Sequence, residues 1–301
     1  MIILAEQFAD QFLEHLMKTK LLDNVSSDFV SGLFPKISEA EDTRIAVAFV
    51  SRPGLGLLEP AINASLQSGG YIEFLVGLDM FVTSPDALKY LYSVGQSNQN
   101  LKLYCYTSYN SSITYHPKIY IMRDNTKVSL MVGSSNLTIG GLQKNIEVNL
   151  VLEGNELDEV ILNAYRVYKQ FKLSPNRVIP DKEFIEIYSR LFEEQASPRK
   201  NKSQKKSAAH RAFSDKINTL QRPQLSQRDL IGWTRLVYSV LPEKEFTNEE
   251  IYKYEAFFKQ QYPSNENIKA KIRQQLQILE KEQLIEHIDR GLWCKKEALL
   301  A

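Results

Sequence analysis

The chain has 301 residues, long enough for about two domains at ~150 residues each. It is 43% hydrophobic and 24% charged with only 13 Gly and 11 Pro, which excludes collagenous, mucin-like and wholly disordered chains. Its net charge of +1 hides an imbalance: residues 1–198 carry 17 Lys and Arg against 23 Asp and Glu, whereas residues 199–301 carry 20 against 13. Two halves of opposite sign imply different partners, with a polyanion the obvious one for the basic half.

No run of about 18 apolar residues exists, and Glu6 and Asp10 interrupt the apolar start, so neither a membrane span nor a signal peptide is expected. The expected location is the cytoplasm. Cys105 and Cys294 stand far apart without a CxxC, and no two of the four histidines lie three or four residues apart. Neither a disulfide framework nor a zinc site is expected, and no cofactor is implied.

An opening amphipathic helix is predicted, with Ile3, Leu4, Phe8, Phe12, Leu16 and Met17 on one stripe. Arg44–Val50 (RIAVAFV) reads as a buried strand, followed by a helix near Leu55–Gln67 that stops at Gly69-Gly70. Tyr71–Gly77 is a second strand. Ser84-Pro85-Asp86 predicts an N-cap with Pro at the first position of a helix through Leu91. Further strands are predicted at Leu101–Tyr106, Pro117–Met122, Lys127–Gly133 and Ile146–Leu152, then a patterned helix over Asn155–Phe171. Strands spaced by helical segments predict an α/β domain, a mixed sheet with helices on both faces, over residues 1–197.

Residues 198–225 are predicted as a basic linker; PRKNKSQKKSAAHRAF holds six Lys or Arg and no acidic residue. The remainder, 226–301, predicts helices at Leu230–Leu241, Asn248–Tyr262 and about Asn265–Glu282. A hairpin turning at Asp289-Arg290-Gly291 follows. Three helices and a hairpin make a small winged helix.

The chemistry concentrates in Tyr115-His116-Pro117-Lys118, Gly133-Ser134-Ser135-Asn136 and Asn145-Ile146-Glu147. In an extended segment His116 and Lys118 leave the same face about 7 Å apart, suited to gripping one phosphate. The backbone N–H groups of the Ser134-Ser135 turn and the Asn136 amide line the same concavity as phosphate ligands. Ile146, Val148, Leu150 and Leu152 are expected to point inward, leaving Glu147 with Asn145 and Asn149 on the polar side, where its carboxylate orients His116. Asp79 reads as a loop cap rather than a ligand residue. Trp233 and Trp293 read as core, Cys105 as a small hydrophobe on an apolar strand, and His15, His210 and His287 as structural or solvated.

His116-x-Lys118 followed by Gly133-Ser134-Ser135-Asn136 resembles the HKD signature of the phospholipase D superfamily. The fuller stretch, through Thr138, Gly140-Gly141-Leu142 and Glu147, resembles the single-motif nuclease branch that includes metal-independent restriction endonucleases. That resemblance, over roughly residues 25–175, implies His116 as nucleophile, Lys118 and Asn136 as phosphate ligands and Glu147 as support for the histidine. It also implies a homodimer joined through the nuclease domain, whose two subunits form one centre and so supply the second histidine that a single HxK lacks. The family's aspartate position holds Arg123, with Asp124 one place late, so Asp124 has no expected role.

On the third C-terminal helix Lys269, Lys271, Arg273, Gln274, Gln275 and Gln277 lie opposite the apolar stripe, the mixture a major-groove reader requires. This segment resembles the winged-helix domain of methyladenine-dependent restriction enzymes, which leaves dependence on methylation open. The expected function is a metal-independent, restriction-type DNA endonuclease acting on double-stranded DNA, with a cognate methyltransferase as a further partner. The alternatives are a catalytically inert DNA-binding regulator and a phospholipid phosphodiesterase or transferase. The third predicts a membrane-facing apolar element that the sequence lacks.

Overall fold

The computed structural model describes residues 17–25, 29–107, 113–196 and 208–296. The expected opening helix through Leu16 lies outside these residues, as do His15 and residues 197–207. The chain divides into two compact units between Pro223 and Gln224.

The first unit is built on an eight-stranded mixed sheet of β1 (Lys18–Asp23), β2 (Asp42–Val47), β3 (Tyr71–Gly77), β4 (Leu101–Tyr106), β5 (Lys118–Asp124), β6 (Lys127–Gly133), β7 (Val148–Asn155) and β8 (Arg177–Val178). Their spatial order is β1-β7-β6-β5-β2-β3-β4-β8. β2, β3 and β4 run parallel, and every other pairing is antiparallel. Parallel neighbours need crossovers, and two helices supply them: α2 (Arg52–Gln67) and α3 (Pro85–Ser97), preceded in the chain by α1 (Phe29–Glu39). Ser51 caps α2 by accepting from Gly54 N–H, and Ser84 caps α3 by accepting from Ala87 N–H, with Pro85 at its start. Gly69, at φ +88°, ends the first crossover in the left-handed region where a Cβ is disfavoured.

One sheet face carries Ile45, Val47, Phe74, Val76, Tyr120, Met131 and Val151 into the main core, against Phe29, Leu33 and Ile37 of α1 and Leu55, Leu58 and Ile62 of α2. Each such side chain contributes about 1.5–3 kcal/mol by leaving water. The opposite face is covered by α4 (Glu159–Lys172), where Tyr168 and Lys172 bond to Glu73 of β3. Helices therefore lie on both faces, as the alternating pattern predicts. α5 (Lys182–Ala196) and α6 (Ala208–Thr219) complete the first core through Phe184, Tyr188, Leu191, Phe213 and Ile217.

Two expectations for this unit are corrected. The inner face of β7 is not the one predicted: Asn149 and Val151 are 1% exposed, whereas Ile146 is 84%, Val148 51% and Leu150 37% exposed, and only Leu152 of the expected set is buried. Alternation identifies two faces without saying which is inside. Here pairing to β6 sets the register, and Asn149 tolerates burial because its amide bonds to Ser135. The stretch predicted as linker, 198–225, is also corrected, because part of it is folded onto the first unit. Residues 208–219 form a helix whose Phe213 ring lies 5.1 Å from Phe184 and whose Lys216 pairs with Asp181 and Glu183.

The second unit comprises α7 (Gly232–Ser239), β9 (Phe246–Thr247), α8 (Asn248–Tyr252), α9 (Glu255–Gln261), α10 (Ile268–Lys281), β10 (Ile285–Asp289) and β11 (Leu292–Lys295). The strands form a sheet of order β10-β11-β9, the wing. Thr247 and Glu250 make the reciprocal capping box expected at the start of α8. The single helix expected over Asn248–Tyr262 is broken at Lys253-Tyr254 into two short ones. Val237, Phe246, Ile251, Phe258, Ile272, Leu276, Leu279, Ile285 and Trp293 form its own core. Among the described residues no helix is long and apolar enough to cross a membrane.

Candidate active site and nucleic-acid interface

His116 stands two residues before the start of β5, whose first residue, Lys118, pairs with Val47 at the carboxyl end of β2. The antiparallel β5 thus starts where β2 ends, and the two residues open onto the same edge of the sheet. His116 is exposed, while Lys118 is buried to 7% exposure, its stem in the protein and its Nζ at the imidazole. Lys118 Nζ lies 2.6 Å from His116 Nδ1 and donates to the His116 carbonyl at 3.0 Å. Nζ also lies 3.2 Å from Nε2, so the ammonium sits against the imidazole beside both ring nitrogens. Partial burial, then the Lys118 charge, lower the His116 pKa below its ordinary value. Burial also lowers the Lys118 pKa, opposed by the charge of Glu147.

Asn136 reaches this edge through a stitch that sequence reading missed. Beyond β2 the chain continues to Val50, which bridges Leu137, while Leu137 N–H donates to Phe49 O and Ser51 N–H to Leu137 O. Asn136 Oδ1 accepts from Phe49 N–H at 3.2 Å, and the Phe49 ring meets the His116 ring edge-on with centroids 5.4 Å apart. Phe49 therefore ties the asparagine and the histidine to one residue. Its side chain belongs to neither a helix cap nor a motif, so only the observed pairing exposes its role.

The two serines differ. Ser135 is fully buried; its N–H donates to Asn149 Oδ1, its hydroxyl accepts from Asn149 Nδ2 and its carbonyl accepts from Tyr120. These groups hold the turn on β7, so the expected phosphate contact from Ser135 is not available. Ser134 is exposed. Its N–H donates to Val148 O and its hydroxyl accepts from Val148 N–H, leaving its own hydrogen only a 3.5 Å approach to Val148 O. Glu147 is also placed otherwise than expected: its Oε1 accepts from Asn145 Nδ2, while the His116 ring nitrogens meet Lys118. Its charge favours the charged form of Lys118. Asp79 caps a loop as expected, Oδ2 accepting from Tyr115 N–H at 3.0 Å. Arg123 and Asp124 lie at the far end of β5, about 25 Å along an extended strand from His116.

In the second unit α10 presents Lys269, Lys271, Arg273, Gln274 and Gln277 outward. Lys271 Nζ donates to Gln274 Oε1, Arg273 Nη1 donates to Tyr252 OH, and Lys269 sits near Glu255 at 3.8 Å. Gln275 is corrected: it is 3% exposed and accepts from Thr234 Oγ1, an inward polar clasp between α7 and α10. Trp293 is buried with Nε1 donating to Asn248, and Cys105 is fully buried, both as expected.

Comparison with known proteins agrees with this division. Residues 33–167 match the family model described as "Cardiolipin synthase, PLD-like domain", and residues 229–295 match "Dam-replacing HTH domain". The chain thus joins a phospholipase D-like domain to a winged-helix domain of the Dam-replacing type. Similar solved structures include NucT from Helicobacter pylori, at 20% identity over 52% of this chain and 96% of that one, with a TM-score of 0.40. Nuc, a phospholipase D family member from Salmonella typhimurium, is 16% identical over 52% of this chain and 92% of its own, with a TM-score of 0.40. A phosphatidylserine synthase from Haemophilus influenzae is 15% identical over 61% of this chain and 46% of its own, with a TM-score of 0.44.

Proposed function

We propose that the chain is a restriction-type DNA endonuclease that cleaves phosphodiester bonds without a divalent metal, through a phosphohistidine on His116, at a centre completed by a second copy. The observation that carries this reading is the His116 ring set 2.6 Å from Lys118 Nζ, with Asn136 alongside on Phe49. On binding, the Lys118 ammonium exchanges the ring nitrogen for a nonbridging phosphate oxygen, and the Asn136 amide takes another. The freed lone pair attacks phosphorus, a P–N bond forms, and the P–O bond to the leaving strand breaks. The departing oxygen takes a proton from the imidazolium of the second copy's His116, which then accepts a proton from the water that displaces the P–N bond. Lys118 supplies fixed positive charge where equatorial charge builds. Glu147 acts on Lys118, favouring its charged form.

The exposed apolar row beside this edge supports the second copy. Leu21 of β1 pairs with Leu150 of β7, which pairs with Val132 of β6, so the three lie side by side on the face opposite the main core. Leu21 is 68% and Val132 40% exposed, and Val148 and Ile146 extend the row toward the site. Apolar side chains ranged across three strands beside a half-complete centre suit an isologous dimer.

The winged helix supplies targeting to double-stranded DNA, with Lys271 and Arg273 toward phosphate or guanine and Gln274 and Gln277 toward adenine. The test is cleavage of plasmid and genomic DNA, methylated and unmethylated, in EDTA, with the ends sequenced. Cleavage that His116→Ala abolishes is expected; strict dependence on magnesium overturns the mechanism.

A further inference from the structure

The loop between β3 and α3 carries an anomaly that the proposed chemistry does not use. Met80 and Phe81 are consecutive non-glycine residues in the left-handed region, at φ 64° and 52°. Such residues persist only where their surroundings over-determine them. Here they do. Asp79 is tied to Tyr115 N–H, Phe81 stacks on Tyr188 and meets His210 edge-on, and Thr83 accepts from Val50 N–H while donating to Gly77 O. Tyr188 OH also donates to Thr83 O.

The result of this clamping is an apolar side chain pushed outward. Met80 is 68% exposed and Val82 44%, and Ile113, three residues before His116, is 69% exposed. The loop leaves the carboxyl end of β3 and is bonded to the residue directly before His116, so this apolar rim borders the His116–Lys118 edge. A phosphate held at that edge brings its two flanking nucleosides with it. Cationic and amide groups suit the phosphate, and an apolar rim suits a base.

We propose that Met80 is a wedge that presses on the base next to the phosphate held at His116 and Lys118, opening that step of the duplex; this rests on the nuclease reading above. The clamped, strained backbone keeps the wedge rigid, so that it displaces a base rather than yielding to one. Its contribution lies in binding and positioning the strand, not in bond making.

The experiment uses the full-length protein and the cut step mapped by end sequencing. Duplexes carrying 2-aminopurine beside that step are added to the His116→Ala protein, which binds without cutting, and to the same protein with Met80→Gly. A fluorescence rise is expected with the first and its loss with the second. In the His116 background, Met80→Gly lowers kcat/KM for duplex DNA by roughly tenfold or more. Glycine suits φ 64°, so its thermal midpoint should equal or exceed that of the parent, and Met80→Asn, also tolerated there, serves as the second variant. Equal fluorescence and equal cleavage with both variants overturn the wedge while leaving the nuclease reading intact. A parent protein that cuts no DNA overturns both.

Discussion

His116 and Lys118 illustrate how two adjacent titrating groups set one pH window. In the proposed mechanism His116 attacks as the neutral ring, and burial and the Lys118 charge lower its pKa, so the acid limb of kcat/KM is expected below about 6.5, the ordinary histidine value. Lys118 must stay charged, its own pKa lowered by burial, and the second copy's His116 must stay protonated as the acid, so the alkaline limb falls where that imidazolium is lost, well below the ordinary lysine value near 10.4. A bell with both limbs displaced downward, measured on plasmid DNA in EDTA, checks the pair; an acid limb above 7 contradicts it. Removing the charge donors is a separate test. Lys118→Ala and Asn136→Ala should each lower kcat by about 100-fold or more with the fold intact by circular dichroism, because each removes one preorganised donor to developing charge.

At the scale of elements, the sheet holds an ionic cluster beneath α4. Glu73 on β3 accepts from Arg44 at 2.8 Å, Lys172 at 2.9 Å, Tyr71 at 2.8 Å and Tyr168 at 2.9 Å, all buried. Burial alone would raise the Glu73 pKa, but Arg44 and Lys172 outweigh it and bring it down to about 2. Its folded value lies below its unfolded one, near 4.3. Its stabilisation is therefore full above about 4.3 and is lost as pH falls toward 2. Glu73→Gln should destabilise the first unit by ~3–5 kcal/mol, since it leaves Arg44 and Lys172 with a weaker partner, and should flatten its acid unfolding in that window. Thermal melts between pH 2 and pH 7 check both.

The same elements show what was legible in sequence. β3, β4 and β6 fall at the predicted residues, because each is a short apolar run between clear breakers. The meeting of His116, Lys118 and Asn136 at one sheet edge was legible because their motif is local. Phe49, the inner placement of Asn149 and the outward face of Val148 and Leu150 were not. Each depends on which strand pairs with which across stretches of chain far longer than any local pattern, and local patterning carries no such information. α6 was hidden by its basic, alanine-rich beginning, although Phe213 and Ile217, four apart, mark its buried stripe.

For the whole molecule, the two units have separate cores and divide between Pro223 and Gln224. Replacing Lys271 and Arg273 on the full-length protein should weaken DNA binding and reduce its salt dependence, by a slope of about one for each phosphate no longer neutralised. His116 chemistry on a small phosphodiester should persist. The apolar row makes a complementary demand on assembly. Val148→Asp and Leu150→Asp together should convert a dimer to a monomer in sedimentation, and should remove DNA cleavage although His116, Lys118 and Asn136 are untouched.

The most direct test is to quench the protein during turnover on DNA in EDTA and analyse the denatured chain by mass spectrometry. A DNA strand covalently bound through phosphorus to His116, absent from His116→Ala, is the expected result. Cleavage that proceeds with no adduct at His116 under any quench, or only with added magnesium, would contradict the account.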